Sequence, residues 1–199
     1  FAKAHGLKAK KDNVGNILIC KAAAKGCEKS PTVILQAHQD MVCEKDAALI
    51  HDFMKQPIQT YIEDGWLKAK RTTLGADDGI GMAMMLAVLA DSTLKHGPIE
   101  ALFTVSEETG LTGASNLGDD MINGSMLINL DSEDEGEIFI GCAGGIKSEI
   151  EFHYNAESIP ENSFFLKISV DRLHGGHSGD DIDKGYANAN KILARFLYN

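Results

Sequence analysis

The sequence predicts an α/β fold: a sheet flanked by helices, mixed or mainly parallel, followed by the start of an α+β domain. Three observations carry this. Short apolar, β-branched runs alternate with helical segments as far as residue 130, the rhythm of a layered domain. The segment 79–89 is apolar nearly all round, which predicts a helix buried on most faces. Three of the apolar runs lead directly into His, Asp or Glu. In open α/β sheets, sites form at the carboxyl ends of strands.

Each element follows from local pattern. Residues 1–7 read as the tail of a helix already under way. With Phe rather than Met at position 1, this predicts that the chain is a fragment of a longer protein. Residues 13–21 (NVGNILICK) place apolar side chains behind a turn signal at 13–15, so a strand. A polar loop at 25–31 precedes TVILQA (32–37), a buried strand. Residues 46–64 are expected to form a loop with short strands. Residues 66–70 form a strand leading into TTLG. Residues 99–105 are a strand, 109–117 a short helix and 125–130 another strand. The glycine-rich GCAGG at 141–145 suggests a hinge. Beyond it, 147–154 and 164–171 alternate in polarity like strands, and 184–197 reads as an amphipathic helix. The expected division is therefore 1–145 and 146–199.

Composition narrows the function. The chain has 199 residues and a formal net charge of −10, which opposes binding to nucleic acid or an anionic membrane surface. No apolar run approaches the roughly 18–20 residues that span a bilayer. The cysteines Cys20, Cys27, Cys43 and Cys142 form no C-x-x-C pair, so neither a zinc ribbon nor a disulfide framework is expected. No signal-peptide pattern opens the chain. A reducing, cytoplasmic setting fits best.

The strand ends concentrate chemistry. TVILQA leads into His38 and Asp40, ALFTVS into Glu107 and Glu108, and SMLINL into Asp131, while Asp77 and Asp78 stand just before the apolar helix. If the strands are parallel neighbours, one histidine and several carboxylates share a crevice. Carboxylates so placed repel one another, and two divalent cations would neutralise most of that charge. One histidine among oxygens suits zinc, or manganese or cobalt. In His38-x-Asp40 the side chains share one face if the strand continues, so His38 can ligate while Asp40 orients it. Glu107 and Glu108, being consecutive, are expected to point apart, one towards a metal and the other towards water. That division suits metal-assisted hydrolysis, with a carboxylate taking a proton from water.

AHQDMV, TTLGADDGIGMA, SEETGLTGA, LINLDSEDEGEIFIGCAGG and HGGHSGDDIDKGYANANKILARF occur in that order across nearly the whole chain. Together they resemble the dizinc exopeptidases, most of all the aminoacyl-histidine dipeptidase branch. The resemblance implies a zinc exopeptidase-like catalytic domain, partial and metal-binding, over 1–145. It implies the start of a lid or dimerisation domain over 146–199. It implies two Zn2+, held by His38, Asp77, Glu108 and Asp131. Asp77 would bridge them, Asp40 would stand behind His38, Glu107 would be the general base, and His177 would polarise the scissile carbonyl or bind the substrate's end. The substrate implied is a small dipeptide of the Xaa-His type, and the full-length protein would be a homodimer through the lid. Gln39, Asp78 and His174 differ from the residues most common in the family, but no ligand is lost. Family members continue past residue 199 to a last histidine ligand, which again implies a fragment. A tripeptidase, an N-acyl amino acid deacylase and a catalytically silent fragment that only binds metal or a partner are the alternatives.

Other readings of the same residues are weaker. Asp78 suits helix capping. The acid run from Asp131 lacks the glutamate that a calcium loop needs, Cys142 standing in its place. Gly79-x-Gly81 lacks the third glycine of a dinucleotide fingerprint, Met84 standing there. Met82, Met84 and Met85 are expected in the core.

Overall fold

The chain opens with a 3-10 turn, Ala2–His5, closed by Gly6 at φ 66°, and passes into strand β1, Lys8–Lys11. The sequence does not announce β1. Its four residues KAKK are all exposed and carry no alternation, and it exists through its ladder to β2, Ile17–Lys21. This computed structural model describes residues 1–198 apart from 133, 143, 145, 147 and 177–180, and only the backbone of Ile182. Within it the chain divides into two compact units, Phe1–Gly136 and Glu137–Asn199.

The first unit is built on a five-stranded sheet. Its remaining strands are β3 (Val33–His38), β6 (Ile99–Thr104) and β7 (Met126–Asn129), and the spatial order is β1-β2-β6-β3-β7. β2 runs antiparallel to β1 and β6, whereas β3 runs parallel to both β6 and β7. The sheet is therefore mixed, with its parallel half around β3. A separate hairpin joins β4 (Thr60–Glu63) to β5 (Trp66–Ala69). Its turn, Asp64 at φ 52° and Gly65 at φ 82°, is the left-handed pair that matches the twist of two strands.

Successive strand residues face opposite sides, so the sheet has two cores. Ile19, Ala37, Ala101 and Phe103 pack with Met85 and Leu89 of helix α1, Ala76–Ala90. Leu18, Ile34 and Leu102 pack with Met121 on the other face. β6 is buried at every position, which is why its centre, Ala101 to Phe103, is apolar on both faces. At its start Glu100 accepts hydrogen bonds from Asn123 N–H, Asn123 Nδ2 and Gly124 N–H, tying the approach to β7 against the sheet. Lys21 Nζ donates to the carbonyls of Val88 and Asp91, closing the carboxyl end of α1.

α1 corrects one expectation. It buries a single stripe, Gly81, Met85 and Leu89, while Ile80 is 60% and Met84 44% exposed. One helix lying on one sheet is covered on one side only, whatever the apolarity of its outer face. Helix α2 is short, Thr112–Ser115, within the expected 109–117.

In the second unit, α3 (Ala189–Tyr198) lies within and just past the amphipathic stretch. The strands expected at 147–154 and 164–171 are not formed among the described residues, and Ile150, Phe152, Phe164 and Phe165 are exposed. Alternation marks residues that could share a face, but a strand needs a neighbour to complete its ladder. Cys20, Cys27, Cys43 and Cys142 are free thiols. No helix among the described residues is long and apolar enough to cross a membrane.

Candidate metal centre

Because β6, β3 and β7 are parallel neighbours, their carboxyl ends open along one edge. His38 is the last residue of β3 and is 2% exposed. Asp131 follows β7, and Glu107 and Glu108 follow β6. Asp77 arrives from α1, which packs across β3. At Asp77 and Asp78 the backbone is not yet helical, and the peptide bond between them is cis.

The imidazole is oriented by the chain itself. His38 Nδ1 lies 2.9 Å from the Asp40 carbonyl oxygen, so Nδ1–H donates there and Nε2 is turned to the acids. Nε2 stands 2.8 Å from Asp77 Oδ1 and 4.0 Å from Asp131 Oδ1. The Asp40 carboxylate is 3.6 Å from Nδ1 and has other partners. Its Oδ1 accepts Glu107 N–H at 3.0 Å and its Oδ2 accepts Glu108 N–H at 3.1 Å. Asp40 thus holds the loop after β6, a role the His-x-Asp spacing does not reveal.

That loop also changes the expectation for the two glutamates. Ser106 sits at φ 55°, so strand geometry ends before Glu107 and period-two alternation no longer applies. Glu107 and Glu108 both place a carboxylate oxygen within 4.8 Å of a His38 nitrogen and of one another. A second group with the same closeness is His38, Asp77 and Asp131. His38 belongs to both. Each group offers one imidazole nitrogen and two carboxylates, a donor set suited to a borderline divalent cation with a position left for water or a further ligand.

Electrostatics point the same way. Burial and then the Asp131 charge raise the pKa of Glu107; burial and then the Asp77 charge raise those of Glu108 and Asp131. Burial opposes a charge on His38, but the Asp77 hydrogen bond and the Asp131 carboxylate outweigh it and raise its pKa. The cluster resists carrying its full negative charge, and a cation placed among these oxygens would relieve that repulsion.

Asp78 is fully buried behind the site. Its Oδ2 accepts His38 N–H at 3.1 Å and its Oδ1 accepts Gly81 N–H at 3.1 Å. It therefore caps the regular part of α1, as its sequence position suggests, and also pins the end of β3. Burial pushes its pKa up to about 6. His177 lies outside the described residues. His174 is exposed and stacks edge-on to Tyr186. A cavity lined by Gln36, His38, Thr104, Val105, Glu107 and Asp131 opens beside the cluster.

Residues 34–194 match the family described as peptidase family M20/M25/M40. This chain belongs to that family. It is 51% identical over 197 residues to the cytosol non-specific dipeptidase of Escherichia coli (strain K12), covering 99% of this chain and 41% of that protein. It is similar in structure to the aminoacylhistidine dipeptidase of Vibrio alginolyticus, with a TM-score of 0.70, 42% identity and coverage of 98% of this chain and 40% of that one. A tripeptidase of Staphylococcus aureus matches at a TM-score of 0.55 and 26% identity, over 66% of this chain and 35% of that one. The M20/M25/M40 chain described here thus spans about 41% of the length of its curated dipeptidase relative.

The raised pKa values set a pH dependence for the metal-free protein. A carboxyl whose pKa is higher folded than unfolded destabilises the fold above its folded pKa, and that penalty vanishes as protons return. For Asp78 the window runs from about 6 down to 3.8. A histidine with a raised pKa also contributes more stability at lower pH. Asp12 and Glu100, whose pKa values are lowered, hold their contribution above their ordinary values of 3.8 and 4.5 and lose it as the pH falls through those values and below. Acidifying the chelator-treated protein from pH 7 to pH 5 should therefore stabilise it, by about 1 kcal/mol from Asp78 alone. The metal-loaded protein should lose stability over the same range, since protons compete for the ligand atoms. Thermal unfolding at both pH values, with and without chelator, reads this; a metal-free protein more stable at pH 7 contradicts it.

Proposed function

We propose that this chain is the metal-binding part of a dipeptidase that hydrolyses small dipeptides, Xaa-His dipeptides among them. The observation that carries the reading is the convergence of His38, Asp77, Glu107, Glu108 and Asp131 on one edge of the sheet, in a chain 51% identical to a dipeptidase. His38, Asp77, Glu108 and Asp131 would hold two zinc ions, with manganese or cobalt as substitutes, and Asp77 would be shared between them. Bound there, the cations would lower the pKa of water and polarise the scissile carbonyl.

The chain's own residues supply the rest. Glu107 accepts the proton from the attacking water and hands it to the leaving amine nitrogen. Its raised pKa suits a group that must both take and return a proton. Asp40 fixes Glu107 through the backbone N–H. His177 is assigned to the substrate carbonyl or its terminal group. Residues 1–145 would form the partial catalytic domain and 146–199 the start of the lid through which two subunits pair, in the cytoplasm.

The test is metal content of the intact protein together with hydrolysis of carnosine, other Xaa-His dipeptides, dipeptides without histidine and tripeptides, with and without chelator. About two metals per chain and chelator-sensitive cleavage of dipeptides support the reading. Cleavage limited to Xaa-His dipeptides would narrow it to the specificity named for the Vibrio enzyme, and cleavage of many dipeptides to that named for the Escherichia coli one. Preference for tripeptides would favour a tripeptidase, the reading that the Staphylococcus aureus likeness supports. Metal binding without turnover would leave only the silent fragment.

A further inference from the structure

The end of β6 is held from behind by a side chain with no part in the proposed chemistry. Asn16 is fully buried, at 0% exposure. It stands just before β2, where Ile17 pairs with Phe103. Past that pair the backbone ladder stops, and the Asn16 carboxamide takes the place of its next rung. Oδ1 accepts Val105 N–H at 3.1 Å, and Nδ2 donates to the Gly113 carbonyl at 2.9 Å. Gly113 N–H in turn donates to the Val105 carbonyl at 2.9 Å. The approach is so close that a Cβ on Gly113 would lie 2.4 Å from that carbonyl and 2.5 Å from Asn16 Oδ1. Only glycine fits there.

Asn16 is itself held rigidly. Its Nδ2 donates to Asp12 Oδ2 at 2.7 Å, while Asp12 Oδ1 accepts the N–H groups of Val14, Gly15 and Asn16. Val105 is followed by Ser106 in the left-handed region and then by Glu107. The short segment from Val105 to Glu108 is thus anchored twice: at its start by Asn16 and at its end by Asp40.

We propose that Asn16 is a positioning residue for Glu107, fixing the outgoing end of β6 so that the glutamate carboxylate is held beside His38 and Asp131. This rests on the dipeptidase reading, with Glu107 as the base. Asn16 touches no candidate metal ligand, and it reaches the cavity lining only through the backbone N–H of Val105. Its loss frees the backbone that carries Glu107 without removing a ligand.

Asn16→Ala in the intact protein tests this, with Asn16→Ser, which retains a hydroxyl, carrying the same expectations where the alanine variant does not fold. A displacement of about 1 Å at a reacting group can cost on the order of 100-fold in rate, so kcat should fall about 10- to 100-fold. KM for a dipeptide should stay within about twofold and metal content should match wild type, since ground-state binding is untouched. A second readout needs no activity. In the metal-free protein, amide exchange at Glu107 and Glu108 should quicken by about tenfold or more, because the Asp40 hydrogen bonds lose their fixed partner. Unchanged exchange at both glutamates overturns the proposal. So does a folded, metal-loaded variant with kcat within about twofold of wild type, or a kcat that falls only in step with metal content. Wild-type protein that binds metal but cleaves no dipeptide overturns the dipeptidase reading instead, and the exchange result remains readable.

Discussion

Glu107→Gln should lower kcat by about 100- to 10,000-fold while metal content stays at the wild-type level. Glutamine keeps the size of the side chain and its place after β6 but cannot take a proton from water. The backbone N–H of Glu107 still donates to Asp40, so the loop is not released. The proposed ligands His38, Asp77, Glu108 and Asp131 are all retained. Turnover and metal stoichiometry on one sample decide it. A fully loaded variant retaining more than about a tenth of wild-type kcat removes Glu107 as the base. Loss of activity together with loss of metal makes it a ligand instead.

His38→Ala should have the largest effect on metal binding, because His38 is common to both groups of close donor atoms. Groups that merely orient a ligand cost about 10- to 100-fold in metal affinity when removed, so loss of a shared ligand should cost more than about 100-fold. The substitution also leaves Asp77 and Asp131 without the imidazole that lies between 2.8 and 4.0 Å from their oxygens. Wild-type protein with metal at about 100 times its Kd should gain about 2.7 kcal/mol of stability, a gain that His38→Ala should lose. Calorimetric titration and thermal unfolding with and without zinc measure both quantities. A variant with wild-type stoichiometry and affinity would falsify the placement of His38 at the centre.

Much of the first unit is legible because its signals are local. β3, β6 and β7 carry compact apolar runs, and the structure forms them within a residue or two of the expected limits. β1 is invisible because an exposed edge strand of KAKK has no face to encode. The strands expected at 147–154 and 164–171 show the opposite failure: alternation is present, but among the described residues no ladder accompanies it.

The candidate site divides in the same way. Its residue types and their places at strand ends stand in the sequence, since a ligand-bearing turn is written next to the apolar run that delivers it. So does membership of the family, because it rests on ordered motifs. What the tertiary structure alone decided is how these pieces meet. The order β6-β3-β7 makes three separate strand ends neighbours, and their hydrogen-bond partners lie far apart in the chain. The Asp40 carboxylate reaches Glu107 N–H and Glu108 N–H, while it is the Asp40 carbonyl that takes His38 Nδ1–H. Asn16 completes a rung of β6 across a gap that no periodicity marks. Local patterns record which face a residue can bury; a hydrogen bond between distant segments leaves no such trace, and it is these bonds that aim the carboxylates.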